Sequence, residues 1–255
     1  VTTRQKTSHP NRSRWPGVLA GLSIVLLVVA AMMMAGSGPA YRGEHISLSE
    51  AFILLRNGVY AAGAAVALSL VALLVSAIKR RSTPAVIATL VIFSAAALLY
   101  VPWQHWQRAQ SLPAIHDITT DMQNPPAFEA LASARQAAPN ALAYPGEATA
   151  RQQQAAYPAI KPLLLKATPQ AVLAAAQAEA EEAGWRIARI SDDHIEATAT
   201  TPWFGFEDDV VIRLTERENA VQVDMRSASR IGASDVGTNA ARIQAFLDEL
   251  KARLN

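Results

Sequence analysis

Hydrophobic and polar positions follow two unlike regimes along this chain. Up to Trp103 the apolar residues come in unbroken blocks, whereas beyond Pro162 they alternate or recur every three to four positions. Residues 18–35 (VLAGLSIVLLVVAAMMMA), 59–78 and 85–103 contain no Asp, Glu, Lys or Arg. Each approaches or reaches the run of about 20 apolar residues that a helix needs to cross a hydrocarbon core ~30 Å thick. Only a segment that satisfies its own backbone hydrogen bonds can cross lipid, so the blocks predict three spanning helices. The first reads as an anchor and not as a signal peptide, because its apolar run exceeds the usual stretch of about 7–15 residues and two more follow.

The second regime predicts a folded domain. TPQAVLAAAQAEAEEAGW is a helix with Thr168 as N-cap, Pro169 in the first turn and a stop at Gly184. Strands follow at 185–190, 194–200, 209–215 and 221–229, with Ile195, Ala197 and Ala199, then Val210, Ile212 and Leu214, then Val221, Val223 and Met225 on one side. A last helix carries Val236, Ala240, Ile243, Leu247, Leu250 and Leu254 as a stripe, capped by Ser234 or Asp235. The expected fold class is α+β: three N-terminal transmembrane helices, then a two-layer domain of antiparallel sheet covered by helices on one face. Residues 104–160, rich in Ala, Pro, Gln and Asn, read as a linker and domain-wrapping segment with one short helix near 128–136. The domain proper is set at 161–255, and residues 1–17 form a basic tail.

Charge orients the spans. Arg4, Lys6, Arg12 and Arg14 precede the first, and Lys79, Arg80 and Arg81 fill the turn between the second and third. The opposite flanks offer Arg42, Arg56 and Arg108 among acidic or neutral residues. The excess of cations on cytoplasmic loops then places the N-terminus in the cytoplasm and everything after Trp103 across a bacterial inner membrane, in the periplasm. Tyr100, Trp103 and Trp106 suit an interfacial aromatic belt. The three blocks hold no Asp, Glu, Lys, Arg or His, which argues against transport and for an anchoring role. Gly17 with Gly21, and Gly63 with Ala67, have the spacing of close helix contacts.

Composition removes several classes of function. A net charge of +2 over 255 residues makes no basic face for nucleic acid. Cysteine is absent, so disulfides, thiolate metal sites and cysteine nucleophiles are excluded. HDITTD at 116–121 starts like a calcium loop, yet Met122 replaces the required glycine and Phe128 the bidentate acid. His105, His116 and His194 lack metal-site spacing, and no cofactor or metal is implied. Ser227 and Ser229 lie on a strand and have no assignable histidine partner, so a hydrolase triad is not supported.

Candidate site residues come from the sheet side opposite the apolar one. Period two gathers Glu196, Thr198, Thr200, Asp209, Arg213, Asp224, Arg226 and Arg230 there. A solvated ladder of ion pairs is the favoured reading, and a ligand or partner face the alternative. Arg226 and Arg230 near the last helix could hold an anion, but the carboxylate of Asp235 at that helix start opposes it. Trp203, Phe204 and Phe206 lie in a connection between strands, suited to packing or to gripping a lipid-like group.

TPWFGFEDDVVIRL and VDMRSASRIGASDVGTNAARIQAFLDEL, with DITTDMQNPPAF and AAYPAIKPLLL upstream, resemble a bacterial family of unknown function, number fourteen ninety-nine, over roughly 111–250. The resemblance puts Phe204, Asp208, Asp209, Arg213, Arg226, Ser227, Ser229, Arg230, Gly232, Asp235, Asn239 and Arg242 at signature positions. It implies an envelope-anchored domain and brings no activity. The favoured function is a non-catalytic inner-membrane protein whose partners are the lipid bilayer and an envelope protein or lipid-like ligand. It would bind through Asp208, Asp209, Arg213, Arg226, Arg230, Asp235, Asn239, Arg242, Trp203 and Phe204. The alternative is an enzyme acting on a phosphorylated or acylated envelope substrate, with Asp208, Asp209, Arg213 and Arg230 as its polar groups. A weaker third reading is a membrane-assembly subunit with the domain as a lid.

Overall fold

The computed structural model describes residues 14–254, so Arg4, Lys6 and Arg12 of the expected basic tail lie outside the described residues. The chain divides into two compact units, residues 1–103 and 104–255.

The first unit is helical. Helices α1 (Trp15–Arg42) and α2 (Leu48–Ile78) are followed by α3 (Ser82–Ser111), which runs on past the unit boundary. Each is longer than its uncharged block, and α2 begins at a capping box in which the Ser47 amide donates to the Glu50 carboxylate while the Glu50 amide donates to the Ser47 hydroxyl. The buried positions of α2 are Ala51, Gly58, Ala62, Ala65, Ser69, Ala72 and Ser76, a heptad-like spacing of small side chains. Those of α1 include Ala20, Ser23, Ala30, Met34 and Ser37. Large apolar residues such as Leu22, Val25, Leu70, Leu74, Leu90 and Phe93 point outward. This small-inside, large-outside order is the reverse of a water-soluble bundle and fits helices packed in lipid. All three are long and apolar enough to cross a membrane, and only 17–28% of their most apolar windows is buried inside the protein.

The glycine contacts differ from the expected ones. A Cβ at Gly17, Gly21 or Gly63 would meet nothing within 4 Å. Gly58 is the position of close approach: a Cβ there would lie 2.5 Å from Met34 Cγ and 3.1 Å from the Ala30 carbonyl oxygen. Spacing of small residues marks a permitted contact, and the heptad phase decides which one is made.

The second unit is α+β with an open antiparallel sheet. Its strands are β1 (Asp117–Thr119), β2 (Leu163–Leu165), β3 (Arg186–Ile190), β4 (His194–Thr200), β5 (Glu207–Arg217) and β6 (Ala220–Ser229). They run in the order β1-β6-β5-β4-β3, with β2 also paired to β6. β1 pairs with residues 226–228 and β2 with residues 221–223, so these two short strands share one edge of β6. Helices α6 (Pro169–Glu182) and α7 (Thr238–Leu254) pack on the apolar side, joining Val172, Ala176, Ile243 and Leu247 to Ile195, Val210, Ile212, Val223 and Met225. Thr168 caps α6 by accepting from the Ala171 amide, as the sequence predicts. Val236 is not on the α7 stripe. It sits before the helix at φ +53°, an outlying conformation for a β-branched residue.

The opposite side of the sheet is not open to water. Residues 120–146, with the single-turn helix α4 (Ala132–Gln136), lie across it, and Phe128 and Leu131 bury against Val211 and Ala228. The solvated ladder is therefore corrected: Glu196, Thr198, Asp209, Asp224 and Arg226 are all buried. The following helix α5 (Glu147–Ala156) finishes the wrap with Gln153, whose side-chain amide accepts from the Thr119 amide at 3.0 Å and donates to its carbonyl at 2.6 Å. That side chain acts as one more rung beside β1.

Candidate functional site

Antiparallel register brings the polar side chains together. Asp209 stands opposite Thr198 on β4 and Ala228 on β6, while Arg213 stands opposite Asp224. Period two then aims Glu196, Thr198, Asp209, Arg213, Asp224, Arg226 and, just past β6, Arg230 at the covering segment.

Asp209 is fully buried and accepts four hydrogen bonds. Its Oδ1 takes Thr198 Oγ1 at 3.0 Å and Arg230 Nη2 at 2.8 Å, and its Oδ2 takes Arg230 Nε at 2.9 Å and Arg135 Nη1 at 3.2 Å. Two guanidinium groups on one carboxylate supply the charge compensation that a buried anion requires. Arg230 also pairs with Glu207, and the bond to Asp209 pushes its pKa upward. Arg135 is pulled downward by burial, against the attraction of Asp209. It donates further to the Ala228 and Ala141 carbonyls, so a charged group with no exposed surface ties the cover to β6.

Arg226 has the same design. Its Nε and Nη2 grip Asp117 in a fork at 2.9 and 2.7 Å, and its other donors reach the Pro126 and Leu142 carbonyls. The guanidinium groups of Arg226 and Arg135 both lie over the Phe128 ring, each 4.8 Å from its centroid. Tyr144 stands beside Arg226, its pKa pushed up to about 12 by burial and by Asp117. Arg213 bridges Asp121 and Asp224 and donates to the Asn124 carbonyl. Glu196 accepts three successive backbone amides, from Glu129, Ala130 and Leu131, at 2.9–3.0 Å.

A second polar group lies on the helix side. Arg242 Nη2 meets Asp208 at 2.6 Å, and its Nη1 meets Ser227 Oγ at 3.0 Å and Asn239 Oδ1 at 2.5 Å. Ser227 donates to Asn239 Oδ1, and Asn239 donates to Ser229 and to the His116 carbonyl. Asp235 accepts the Gly237 and Asn239 amides, which caps α7 as expected, and burial raises its pKa. The amides that could have held an anion are thus taken by this carboxylate.

The candidate residues therefore separate into three places. Asp209, Arg213, Arg226 and Arg230 meet under the cover; Asp208, Asp235, Asn239 and Arg242 meet between β5, β6 and α7; Trp203 and Phe204 stand apart in the loop between β4 and β5. In that loop Trp203 is 43% exposed, and its ring stacks on Phe204, which stacks on Phe206. Among the described residues no cluster of three His, Asp or Glu could hold a metal. Sequence reasoning missed Asp117, Phe128, Arg135 and Gln153 as partners of the sheet, and a count of buried charge on the polar side is the signal that would have required them.

The family model matching this chain covers residues 117–250, more than half of its length. The chain belongs to the family described as Protein of unknown function (DUF1499). The DUF1499 match starts at Asp117, the residue gripped by Arg226, and ends within α7. It takes in the sheet, the cover and both long helices of the second unit, and leaves the three apolar helices outside. No curated protein matches the chain.

Proposed function

We propose that the protein is a non-catalytic, membrane-tethered binding protein of the cell envelope. In this reading the three helices hold it in a bacterial inner membrane, with the N-terminus cytoplasmic and the DUF1499 domain in the periplasm. The domain engages an envelope protein or lipid-like ligand through the aromatic loop at 201–206. One observation carries the reading: the charged candidate groups are committed to internal pairs, whereas Trp203 presents an indole at the surface on a stacked aromatic base. A buried, fully bonded carboxylate has neither access nor a free lone pair for acid–base work, which disfavours the enzyme alternative. Arg and Asp side chains here close a domain, and a rigid aromatic can contribute binding at low entropic cost.

Two measurements test the proposal. The chain has no cysteine, so Lys251→Cys in the full protein reports topology with a membrane-impermeant maleimide. Labelling in intact spheroplasts supports the periplasmic placement, and labelling only after lysis overturns it. A photoreactive phenylalanine analogue at position 203 should give one dominant lipid or protein adduct in cells, lost on Phe204→Ala. Adducts no stronger than those from the same group at position 251 overturn the assignment of the loop.

A further inference from the structure

The second unit has two unlike ends, and the chain enters it at one of them. α3 continues to Ser111, and Leu112 then packs on the start of α7: a Cβ on Gly237 would lie 2.9 Å from Leu112 Cδ1. The Asp235 amide donates to the Ile115 carbonyl at 3.1 Å, and the Ser229 amide donates to the His116 carbonyl at 2.9 Å. The residues between α3 and β1 are thus fixed to the last residue of β6 and to the cap of α7. Register places loop 201–206 at this same end. Asp208 stands opposite Ser229 and Glu207 opposite Thr200, and the loop closes the β4–β5 hairpin there.

The two ends differ in chemistry. At the entry end, residues 112–115 (LPAI), 201–206 (TPWFGF) and 231–234 (IGAS) carry no ionisable side chain. At the opposite end the β3–β4 turn holds Asp192 and Asp193, and the tip of the β5–β6 hairpin holds Glu216, Arg217 and Glu218, all exposed. Charged turns keep their water, whereas an uncharged loop with an exposed indole gives it up at little cost. The exposed Leu164 and Ile190 differ from Trp203 in their flanks, which are Lys161 and Lys166 for the one and Arg189 and Asp192 for the other.

Distance also separates the ends. Trp106 precedes Leu112 by six residues, ~9 Å of helix. Where α3 crosses a membrane, Trp106 suits its interface, so Leu112 is tied within about 10 Å of that level. The β5–β6 tip stands ~33 Å from Glu207 along the 11-residue β5. A domain tied at Leu112 presents its entry end to lipid first.

We propose, on the reading of loop 201–206 as a binding surface, that its occupant is the bilayer holding α3: the Trp203 indole inserts at the headgroup level of that same membrane. Its ring is amphipathic and suits that depth. Phe204 and Phe206 stack behind it as a rigid support.

The chain has no cysteine, so Thr200→Cys and Glu218→Cys, both at exposed positions, carry a fluorophore to the two ends of the unit. Each labelled full chain is reconstituted in phosphatidylcholine vesicles whose lipids bear a nitroxide high on the acyl chain. The expected result is strong quenching at 200 and baseline quenching at 218. Quenching at 200 should be lost in Trp203→Ala and kept in Trp203→Tyr, with helical content unchanged. No quenching at 200, equal quenching at both positions, or quenching at 200 that persists in Trp203→Ala each overturns the proposal. A dominant protein adduct from position 203 in cells, with no quenching in vesicles, overturns lipid insertion alone and leaves the loop a binding surface. Absence of both overturns the binding surface as well.

Discussion

Arg226 and Asp117 form a two-pronged ion pair with almost no exposed surface, joining β6 to β1 across 109 positions of sequence. Desolvation makes such a pair a poor net stabiliser, yet removal of one partner strands the other charge in the interior. Arg226→Ala should therefore destabilise the domain by about 3–5 kcal/mol, and a double variant Asp117→Leu, Arg226→Met should recover part of that loss. Urea unfolding of the full chain in detergent, followed by tryptophan fluorescence, reads both.

Asp235 gives a pH signature. Burial raises its pKa above the ordinary 3.8, although the Gly237 and Asn239 amides act in the other direction. The folded state then binds the proton more tightly than the unfolded chain, so this group withdraws stability as pH rises from about 3.8 through the folded value. Its contribution is most favourable below that window. Asp235→Asn should remove this component, so the stability difference between the parent and the variant shifts against the parent over that range. A difference that stays flat with pH removes the linkage.

Gly58 sets the approach of α1 to α2. The Cβ of Gly58→Ala would meet backbone atoms of Ala30 and Met34 at 3.1 and 3.2 Å as well as the Met34 side chain. The helices must part, at a cost of roughly 1–3 kcal/mol. Gly63→Ala meets nothing within 4 Å and should be neutral. Thermal denaturation of the two variants in the same detergent separates them.

Trp203→Ala should leave stability nearly unchanged, within about 1 kcal/mol, because the ring is half-exposed and its loop is held by the Phe206 amide, which donates to the Thr201 hydroxyl. The proposed ligand contact should be lost. A large drop in melting temperature instead assigns Trp203 to packing.

Much of this architecture was legible in the sequence. Uncharged blocks located the three helices long and apolar enough to cross a membrane, and the stripe of Ala240, Ile243, Leu247 and Leu250 located α7. Strands β4 to β6 showed their apolar side by alternation. The cover did not show. Period two reports only that Asp209, Arg213 and Arg226 share a side of the sheet, and the pattern is the same whether water or Arg135 and Asp117 lie above. The three residues of β1 are too few to alternate, so DITTD read as a failed calcium loop when Asp117 and Thr119 are sheet residues. In the three apolar helices the glycine spacing was visible, but the contact at Gly58 depended on a phase set by Ala51, Ala62 and Ala65 together.

The central claim is that residues 120–146 are clamped over the polar side of the sheet, which makes its charges structural. Amide hydrogen exchange at Glu129, Ala130 and Leu131 tests this most directly, because these three amides donate to the Glu196 side-chain carboxylate and take no part in a backbone ladder. The account predicts slow exchange that accelerates sharply in Glu196→Gln while β5 and β6 stay protected. Exchange at the rate of an open loop in the parent protein would contradict it, and would return the charged sheet to the surface as a binding site.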